Sequence, residues 1–350
     1  MPNRGLPRFR PGRKILHLLA LGLATASCQS PADTAATASP PPVGHYEGGL
    51  AAAAGQPEAR AALDIRHPSP GHYAAELTVP ALPGLSFVAD SVFFSNGQLR
   101  LTRPARPGQV LSLTLDGDFW RGTLAVDTAQ AAAILVKRGA PTPTAYRVEK
   151  VPQTAGSGWL FTPADTGTQG PALVLLPDSA AAPAAALWAD ALAREGVIVL
   201  VLPMADSTSA AAETSRLQAA LRLLRNTAGA DTANVGVWAA GARAAAMVQA
   251  AAVPGAPRVA FIITQNVAVD PLTRAAFREL KARKLPLLGL QSGPGAAPRA
   301  AAQRTAAGGR GQAAVRVYRT AGLDLLVPGR LSASLAPGLP GEVMEWLRAK

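Results

Sequence analysis

Side chains that could act as nucleophiles, general bases or metal ligands are unevenly distributed along this 350-residue sequence. Cys28 is its only cysteine, and no histidine follows His72. A serine or cysteine nucleophile needs a base to take its proton, and histidine most often fills that role. Beyond His72, covalent catalysis would therefore have to use serine with a base such as lysine.

Few residues remain as candidates for other chemistry. A Ser-Lys pair could combine Ser179 or Ser292 with Lys281 or Lys284, although serines and lysines in loops are usually solvated. Metal-dependent hydrolysis needs three or more clustered ligands, whereas the acids after residue 145 are scattered. Gly308-Gly309-Arg310-Gly311 is a basic loop that lacks the pattern of a phosphate or dinucleotide site. We therefore expect no metal and no cofactor.

The N-terminal segment has the pattern of a targeting sequence. Five Arg or Lys residues without an acid precede an apolar run at residues 15–26, which is too short to span a bilayer. Leu23-Ala24-Thr25-Ala26-Ser27-Cys28 resembles the lipobox of bacterial lipoproteins, in which the cysteine thiol is lipidated before cleavage. The resemblance implies a signal peptide at residues 1–27 and a lipid on Cys28. An ordinary signal peptide that leaves a free thiol is the alternative.

Residues 28–43 are rich in Ser, Pro, Ala and Thr and end in three consecutive prolines, which predicts a disordered tether between the lipid and the folded protein. The lipobox resemblance places the protein outside the cytoplasm, anchored in the cell envelope. Gln29 is not the Asp associated with inner-membrane retention, so the outer membrane is the expected location.

The net charge of +12 does not predict nucleic-acid binding. An exported chain without aromatic interleaving or a binding motif is a poor match to nucleic-acid-binding proteins. Residues 274–319 contain ten Lys or Arg residues and a single acidic residue, Glu279. This stretch could contact anionic lipid or polysaccharide, but a solvated basic face is the more common structure for such a pattern.

Residues 44–139 predict a small antiparallel β domain. Short β-type segments alternate with turn residues, and Asn96-Gly97 and Asp116-Gly117 are hairpin signals. A Gly-x-aromatic-x-Gly pattern at residues 44–48 resembles the β module that precedes many exported bacterial hydrolase domains. Scattered histidines in this region suggest no ligand set. The predicted strands are 62–66, 73–79, 90–94, 98–101, 110–115, 119–126 and 133–137.

Residues 145–350 predict an α/β domain, because near-continuous apolar runs alternate with Ala-rich helical stretches. Such runs are typical of parallel strands buried on both faces by helices. Residues 147–151 and 158–162 predict an antiparallel hairpin before them. The predicted strands are 172–176, 197–202, 234–238, 259–264, 285–290 and 314–319. The predicted helices are 184–194, 211–226, 242–252, 271–284, 296–306 and 341–348.

This second region resembles the α/β-hydrolase superfamily, in particular its dienelactone-hydrolase and serine-aminopeptidase branches. The resemblance covers about 200 residues of the chain. It rests on four segments: Gly158-Trp159-Leu160-Phe161-Thr162-Pro163, Pro171-Ala172-Leu173-Val174-Leu175-Leu176, Ala193-Arg194-Glu195-Gly196-Val197 and Asn234-Val235-Gly236-Val237-Trp238-Ala239-Ala240-Gly241. It implies a mostly parallel sheet with helices on both faces and a Gly-x-Ser-x-Gly nucleophile turn.

The residues that the resemblance would assign to catalysis are missing. Gly241 stands at the nucleophile position, and Arg243 replaces the last glycine of the turn. Gly293 lies where the acid belongs, and Leu323 or Asp324 where the histidine belongs. The oxyanion loop contains Pro177-Asp178 instead of glycines. These positions are degenerate, so no residue is predicted to be catalytic.

The sequence therefore predicts a lipid-anchored α/β-hydrolase-like protein that is catalytically inactive and has a binding or scaffolding role in the envelope. Its expected partners are a membrane, through the lipid, and an unidentified envelope ligand or protein. A serine hydrolase of esterase or peptidase type with a displaced nucleophile is the alternative. A purely structural envelope protein is a third possibility.

Replacing Cys28 with alanine should release the protein from membranes or block its processing, because this thiol alone would carry the lipid. Fractionation combined with acyl labelling measures both effects. A Cys28→Ala variant that remains membrane-bound, together with a wild-type protein that takes up no acyl label, would exclude the lipoprotein assignment.

Overall fold

A computed structural model describes residues 40–52, 58–153, 156–204, 210–308, 313–329 and 332–350. The predicted signal peptide, Cys28 and most of the predicted tether lie outside these residues. The described residues belong to one compact unit. Within it, no helix is both long and apolar enough to span a membrane.

The first half of the unit is a nine-stranded antiparallel sheet with the order β4-β3-β2-β1-β9-β8-β7-β6-β5. A short 3₁₀ helix at Pro83–Leu85 precedes β4. The strands are β1 (Gly44–Ala51), β2 (Ala59–Ser69), β3 (His72–Thr78), β4 (Phe87–Val88), β5 (Val92–Ser95), β6 (Gln98–Arg103), β7 (Arg106–Asp116), β8 (Phe119–Val126) and β9 (Ala129–Gly139).

This sheet is larger than the small β region expected from the sequence. The strand-type segments identified in the sequence correspond to β2, β3 and β5 to β9, whereas β1 and β4 were not recognised. β1 lies between β2 and β9 and pairs with both, so it joins the two halves of the sheet. Its apolar side chains are separated by glycines, which hide the alternation that identifies a strand.

The predicted hairpin turns are present. Asn96 and Gly97, between β5 and β6, have φ angles of +50° and +74°, and Gly117, between β7 and β8, has +59°. Positive φ at both central residues is the geometry that favours Asn-Gly in tight hairpins. One face of the sheet buries an apolar core around Trp120, against which the rings of Tyr46 and Phe94 pack edge-on, each with a centroid distance of 6.0 Å.

The second half of the unit is a mixed eight-stranded sheet with the order β10-β11-β13-β12-β14-β15-β16-β17. β10 and β11 form an antiparallel hairpin, and β11 is antiparallel to β13; the pairings from β13 to β17 are parallel. The strands are β10 (Tyr146–Gln153), β11 (Gly156–Pro163), β12 (Gly170–Leu176), β13 (Ile198–Val201), β14 (Ala230–Ala240), β15 (Ile262–Gln265), β16 (Leu287–Ser292) and β17 (Ala313–Tyr318).

Helices cover both faces of this sheet, so its strands are apolar along most of their length. Leu173 and Leu175 of β12 pack with the core of α1 and α6, while Val174 points to the opposite core, shared with α2, α3 and α4. The helices are α1 (Ala182–Arg194), α2 (Ala210–Arg225), α3 (Gly241–Ala252), α4 (Pro271–Ala282), α5 (Ala296–Ala307) and α6 (Gly341–Ala349). These agree with the six helices predicted from the sequence. A final strand pair, β18 (Leu326–Val327) and β19 (Ser334–Leu335), was not predicted.

A buried polar cluster joins the nine-stranded sheet to α1. Asp190 of α1 accepts hydrogen bonds from the Tyr146 hydroxyl and from the guanidinium of Arg194, and Arg194 also pairs with Glu76 of β3 at 3.1 Å. The Tyr146 hydroxyl in turn accepts the Val88 amide at 3.1 Å. Burial and the neighbouring Asp190 carboxylate raise the pKa of Tyr146 well above its usual value. The tyrosine therefore remains a neutral donor to Asp190.

Replacing Tyr146 with phenylalanine should lower the free energy of unfolding by about 1–3 kcal/mol, because Asp190 loses a donor and the Val88 amide loses its acceptor while both stay buried. Chemical denaturation measures the change. Tyr73→Phe is a matched control, since Tyr73 is half-buried and stacks on His67; its cost should stay below about 0.5 kcal/mol. Equal costs for the two variants would show that the Tyr146 hydroxyl contributes nothing to this junction.

Candidate functional site

The turn from β14 into α3 lies at the carboxyl edge of the parallel strands, where open α/β sheets bind ligands. β14 ends at Ala240, and α3 begins at Gly241 with a φ of +52°. The sequence therefore forms a sharp strand-to-helix turn at the position predicted for a nucleophile. Gly241 offers no side chain, and a Cβ there would collide with the carboxylate of Asp178.

Asp178 occupies this space because β12 ends just before it. Its Oδ1 accepts the amide of Ala181 at 2.9 Å, and its main-chain oxygen accepts the amide of Ala182 at 2.9 Å. These bonds form the turn that leads into α1, and they hold Oδ2 beside Gly241. A negative charge is favourable next to the first turn of α3 because helix N-termini carry a partial positive charge.

Arg243, two residues into α3, hydrogen-bonds the backbone at the ends of two neighbouring strands. Its Nη1 donates to the carbonyl oxygens of Pro177 at 3.0 Å and Leu202 at 2.8 Å, which follow β12 and β13. Its Nη2 pairs with Glu213 of α2. This guanidinium is therefore committed to backbone carbonyls and a carboxylate of its own chain.

Arg216 extends the same cluster from α2. Its side chain is 2% exposed, lies 3.8 Å from Glu213 and donates to the carbonyl of Pro203 at 2.7 Å. Burial lowers the pKa of Arg216, although the Glu213 charge acts in the opposite direction. Two arginines thus share one glutamate at this end of the sheet.

Buried polar side chains at the carboxyl ends of β14, β15 and β16 form two hydrogen-bonded groups. Trp238 donates its Nε1 to Gln265 at 3.1 Å. Gln291 donates to Gln303 at 2.8 Å, and Gln303 donates to Thr264 at 2.7 Å. Buried polar groups are costly unless they are hydrogen-bonded, and these groups satisfy one another.

Arg299 of α5 covers the end of β16. It donates to Gln291 at 3.1 Å and to the carbonyl oxygens of Ser292 and Pro294. Asn266, just after β15, donates to the Ser292 hydroxyl at 2.9 Å and accepts the Ser292 amide at 2.7 Å. The Ser292 hydroxyl therefore has Asn266 as its partner, and it has no access to solvent because Ser292 is fully buried.

The predicted acid and histidine positions are neighbours. Gly293 has a φ of +70°, and a Cβ there would lie 3.3 Å from Cδ2 of Leu323. The carbonyl of Leu323 accepts Gln265 at 2.8 Å and Asn266 at 2.7 Å, which fixes this loop against β15. Asp324 directs Oδ1 to the Leu326 amide at 3.0 Å. The contacts thus place Gly293 beside the loop of Asp324, and Gly241 beside Asp178.

The described contacts do not join the candidate Ser-Lys pairs. Ser179 is exposed, and Ser292 bonds Asn266. Among the described residues, no hydrogen bond links either serine to Lys281 or Lys284, and no cluster of three or more His, Cys, Asp and Glu residues could hold a metal ion.

Gln265, Gln291 and Arg299 were not identified from the sequence, and Arg243 was recognised only as a replacement for glycine. A signal was present, because Thr264-Gln265-Asn266 and Gln291-Ser292 place polar residues where buried apolar strands end. Their partners lie on other elements, such as the Leu323 carbonyl and Gln303 of α5, so the hydrogen bonds could not be predicted from local patterns. In the sequence, Asp178 was recognised only as a residue that stands where the oxyanion loop would have glycines. Its contact with Gly241 could not be predicted, because it depends on how two loops meet.

Comparison with known proteins does not assign a family. No protein-family model matches the chain, and no curated protein matches it. A crystal structure of TT1662 from Thermus thermophilus is similar in structure, with 14% sequence identity and a TM-score of 0.43 over 59% of this chain and 100% of that one. The strand order and the turn at Gly241 describe the fold without that similarity.

Replacing Gly241 with alanine should lower the free energy of unfolding by at least about 2 kcal/mol, because positive φ is unfavourable for alanine and the new Cβ meets Asp178. Gly117→Ala is the matched control, since Gly117 has a φ of +59° and open space around its Cβ position. The control should cost about 1 kcal/mol. Denaturant titration of both variants gives the difference.

The contact itself is tested by a double-mutant cycle. The cost of Gly241→Ala should fall by at least about 0.5 kcal/mol when Asp178 is already alanine, because the colliding carboxylate is gone. Identical costs in the two backgrounds would show that Asp178 does not fill the space beside Gly241.

Proposed function

We propose that this chain is an α/β-hydrolase-like lipoprotein of the bacterial cell envelope that acts by binding and does not hydrolyse substrates. The observation that carries the proposal is Gly241 at φ +52° on the β14–α3 turn, with the Asp178 carboxylate in the space of a nucleophile's Cβ. Anchoring through Cys28, and placement at the outer membrane, rest on the sequence pattern alone.

Two features support the hydrolase-like part of the proposal. An antiparallel hairpin leads into a parallel sheet in which β13 lies between β11 and β12. The strand β14 then passes by a positive-φ turn into α3. In α/β-hydrolases the nucleophile stands on such a strained turn between a strand and a helix, above the sheet.

The contacts around the turn support the absence of catalysis. A working serine needs a base and free donors for the developing oxyanion. Here the position of the serine is a glycine, and the position of the histidine is Leu323 or Asp324. The Leu323 carbonyl accepts Gln265, and the Asp324 carboxylate accepts the Leu326 amide. Arg243 could have been an anion donor, but it already binds two carbonyls and Glu213.

The alternative of a displaced nucleophile has weaker support. Ser292 is fully buried and bonds Asn266, so a substrate carbonyl cannot reach it without rearrangement. Ser179 is exposed, but no described base accepts its proton. An exposed hydroxyl without a base is a weak nucleophile near neutral pH.

Hydrolysis of p-nitrophenyl butyrate by the purified chain tests the proposal. The wild-type protein and Gly241→Ser should both hydrolyse the ester at the buffer rate, and Gly241→Ser combined with Asp324→His should recover at most a trace. Triad members act as a unit, so restoring one or two of them gives little. Gly117→Ser is the matched control, because it adds a serine to an open positive-φ turn far along the chain from β14.

Two results would contradict this account. Wild-type turnover that survives Gly241→Ala but disappears in Ser179→Ala or Ser292→Ala would identify a displaced nucleophile. A rate for Gly241→Ser about a thousandfold above that of Gly117→Ser would show that a base and an oxyanion site are still in place.

A further inference from the structure

A cavity of about 470 Å³ opens between the nine-stranded sheet and α1, away from the Gly241 turn. Its volume is within the range of about 300–1,000 Å³ that is usual for small-molecule sites. Most of its wall is apolar, formed by Val79, Pro83, Leu187, Leu335 and Leu339. Such a wall suits a hydrocarbon chain.

One buried cation lies in the wall of this cavity. Arg103, at the end of β6, is 3% exposed. Its Nη1 donates to the carbonyl of Gly84 at 2.6 Å and to Gln109 at 2.9 Å, while its Nη2 is buried without a hydrogen-bond partner. Gln109 is fixed in turn by donating to the Leu85 carbonyl at 2.8 Å. The guanidinium is therefore held in place with one nitrogen unused.

The charges nearby are already committed to other partners. Asp190 also lines the cavity, but its two oxygens accept Tyr146 and Arg194. Arg194 pairs with Glu76, and Glu195 pairs with Arg348. Among the described residues no carboxylate lies within ion-pair distance of Arg103. Burial lowers the pKa of Arg103, although the Asp190 charge acts in the opposite direction without an ion-pair contact. A buried charge is costly, so an anion that enters the cavity would relieve part of that cost.

We propose that this cavity binds an amphipathic monocarboxylate, such as a medium-chain fatty acid, with its carboxylate facing the guanidinium of Arg103 and its chain along the apolar wall. The inference specifies the binding role proposed above but uses a site separate from Gly241. Ester turnover at the β14–α3 turn would refute the absence of catalysis and leave this site unaffected, so the two proposals can fail independently.

Calorimetric titration of the whole Cys28→Ala chain with decanoate, below the micelle concentration and without detergent, tests the assignment. Decanoate should bind with a stoichiometry of one and raise the melting temperature, because a ligand that binds only the folded state stabilises it. Decan-1-ol and decylamine should bind at least tenfold more weakly, since neither brings an anion to Arg103. Decanol that binds as tightly as decanoate, or decanoate that does not bind, would overturn the proposal.

Three variants locate the site. Arg103→Met should weaken decanoate binding at least tenfold, and Ala191→Trp, which fills the cavity from α1, should abolish it. Arg106→Met is the matched control, because Arg106 is a buried arginine that pairs with Asp127 at 2.8 Å and does not line the cavity. It should retain wild-type affinity. If Arg103→Met fails to fold, Ala191→Trp decides the question, and decanoate affinity unchanged by it would exclude this cavity.

Discussion

The turn at Gly241 is the constraint on which the carboxyl edge of the sheet depends. A φ of +52° between β14 and α3 is inexpensive for glycine, and the absence of a side chain leaves room for the Asp178 carboxylate. Asp178 in turn begins α1 through the amides of Ala181 and Ala182. The turn is therefore a packing contact between two loops.

Most polar groups near this turn bond other groups of the protein, although Glu213 Oε2 and Arg216 Nε are buried without a hydrogen-bond partner. Arg243 and Arg299 donate to carbonyls at the ends of the strands. Gln265 of β15 accepts Trp238 and donates to the Leu323 carbonyl, and Gln291 of β16 donates to Gln303 of α5. A catalytic site keeps donors free for the transition state, whereas a satisfied network stabilises the resting structure. The unused guanidinium nitrogen of Arg103 lies elsewhere, in the cavity beside α1. Gly241, Asp178 and Arg243 do not line that cavity.

Much of the α/β region could be predicted from the sequence, because buried parallel strands and Ala-rich helices leave local patterns. The six helices and the strands from β12 to β17 agree with those patterns. β1 could not be recognised, since its glycines interrupt the apolar alternation, and β4 and β18 are only two residues long. Strands this short are defined by their partners, not by their own composition.

The position of the candidate site could be predicted from the sequence, but the contacts of its side chains could not. The sequence around Gly241 predicted a strand-to-helix turn, which the structure contains. The Asp178 contact, the Arg243 bonds to Pro177 and Leu202, and the cavity at Arg103 all join segments far apart in sequence. No local pattern specifies which loop meets which, so these contacts required the three-dimensional structure.

We infer that no serine of this protein is an activated nucleophile. Intact-mass measurement of the purified chain after exposure to a fluorophosphonate tests it most directly, because an activated serine forms a stable covalent adduct even when its natural substrate is unknown. The mass of the chain should remain unchanged. A stoichiometric adduct, mapped by peptide fragmentation to one serine such as Ser179, would contradict it.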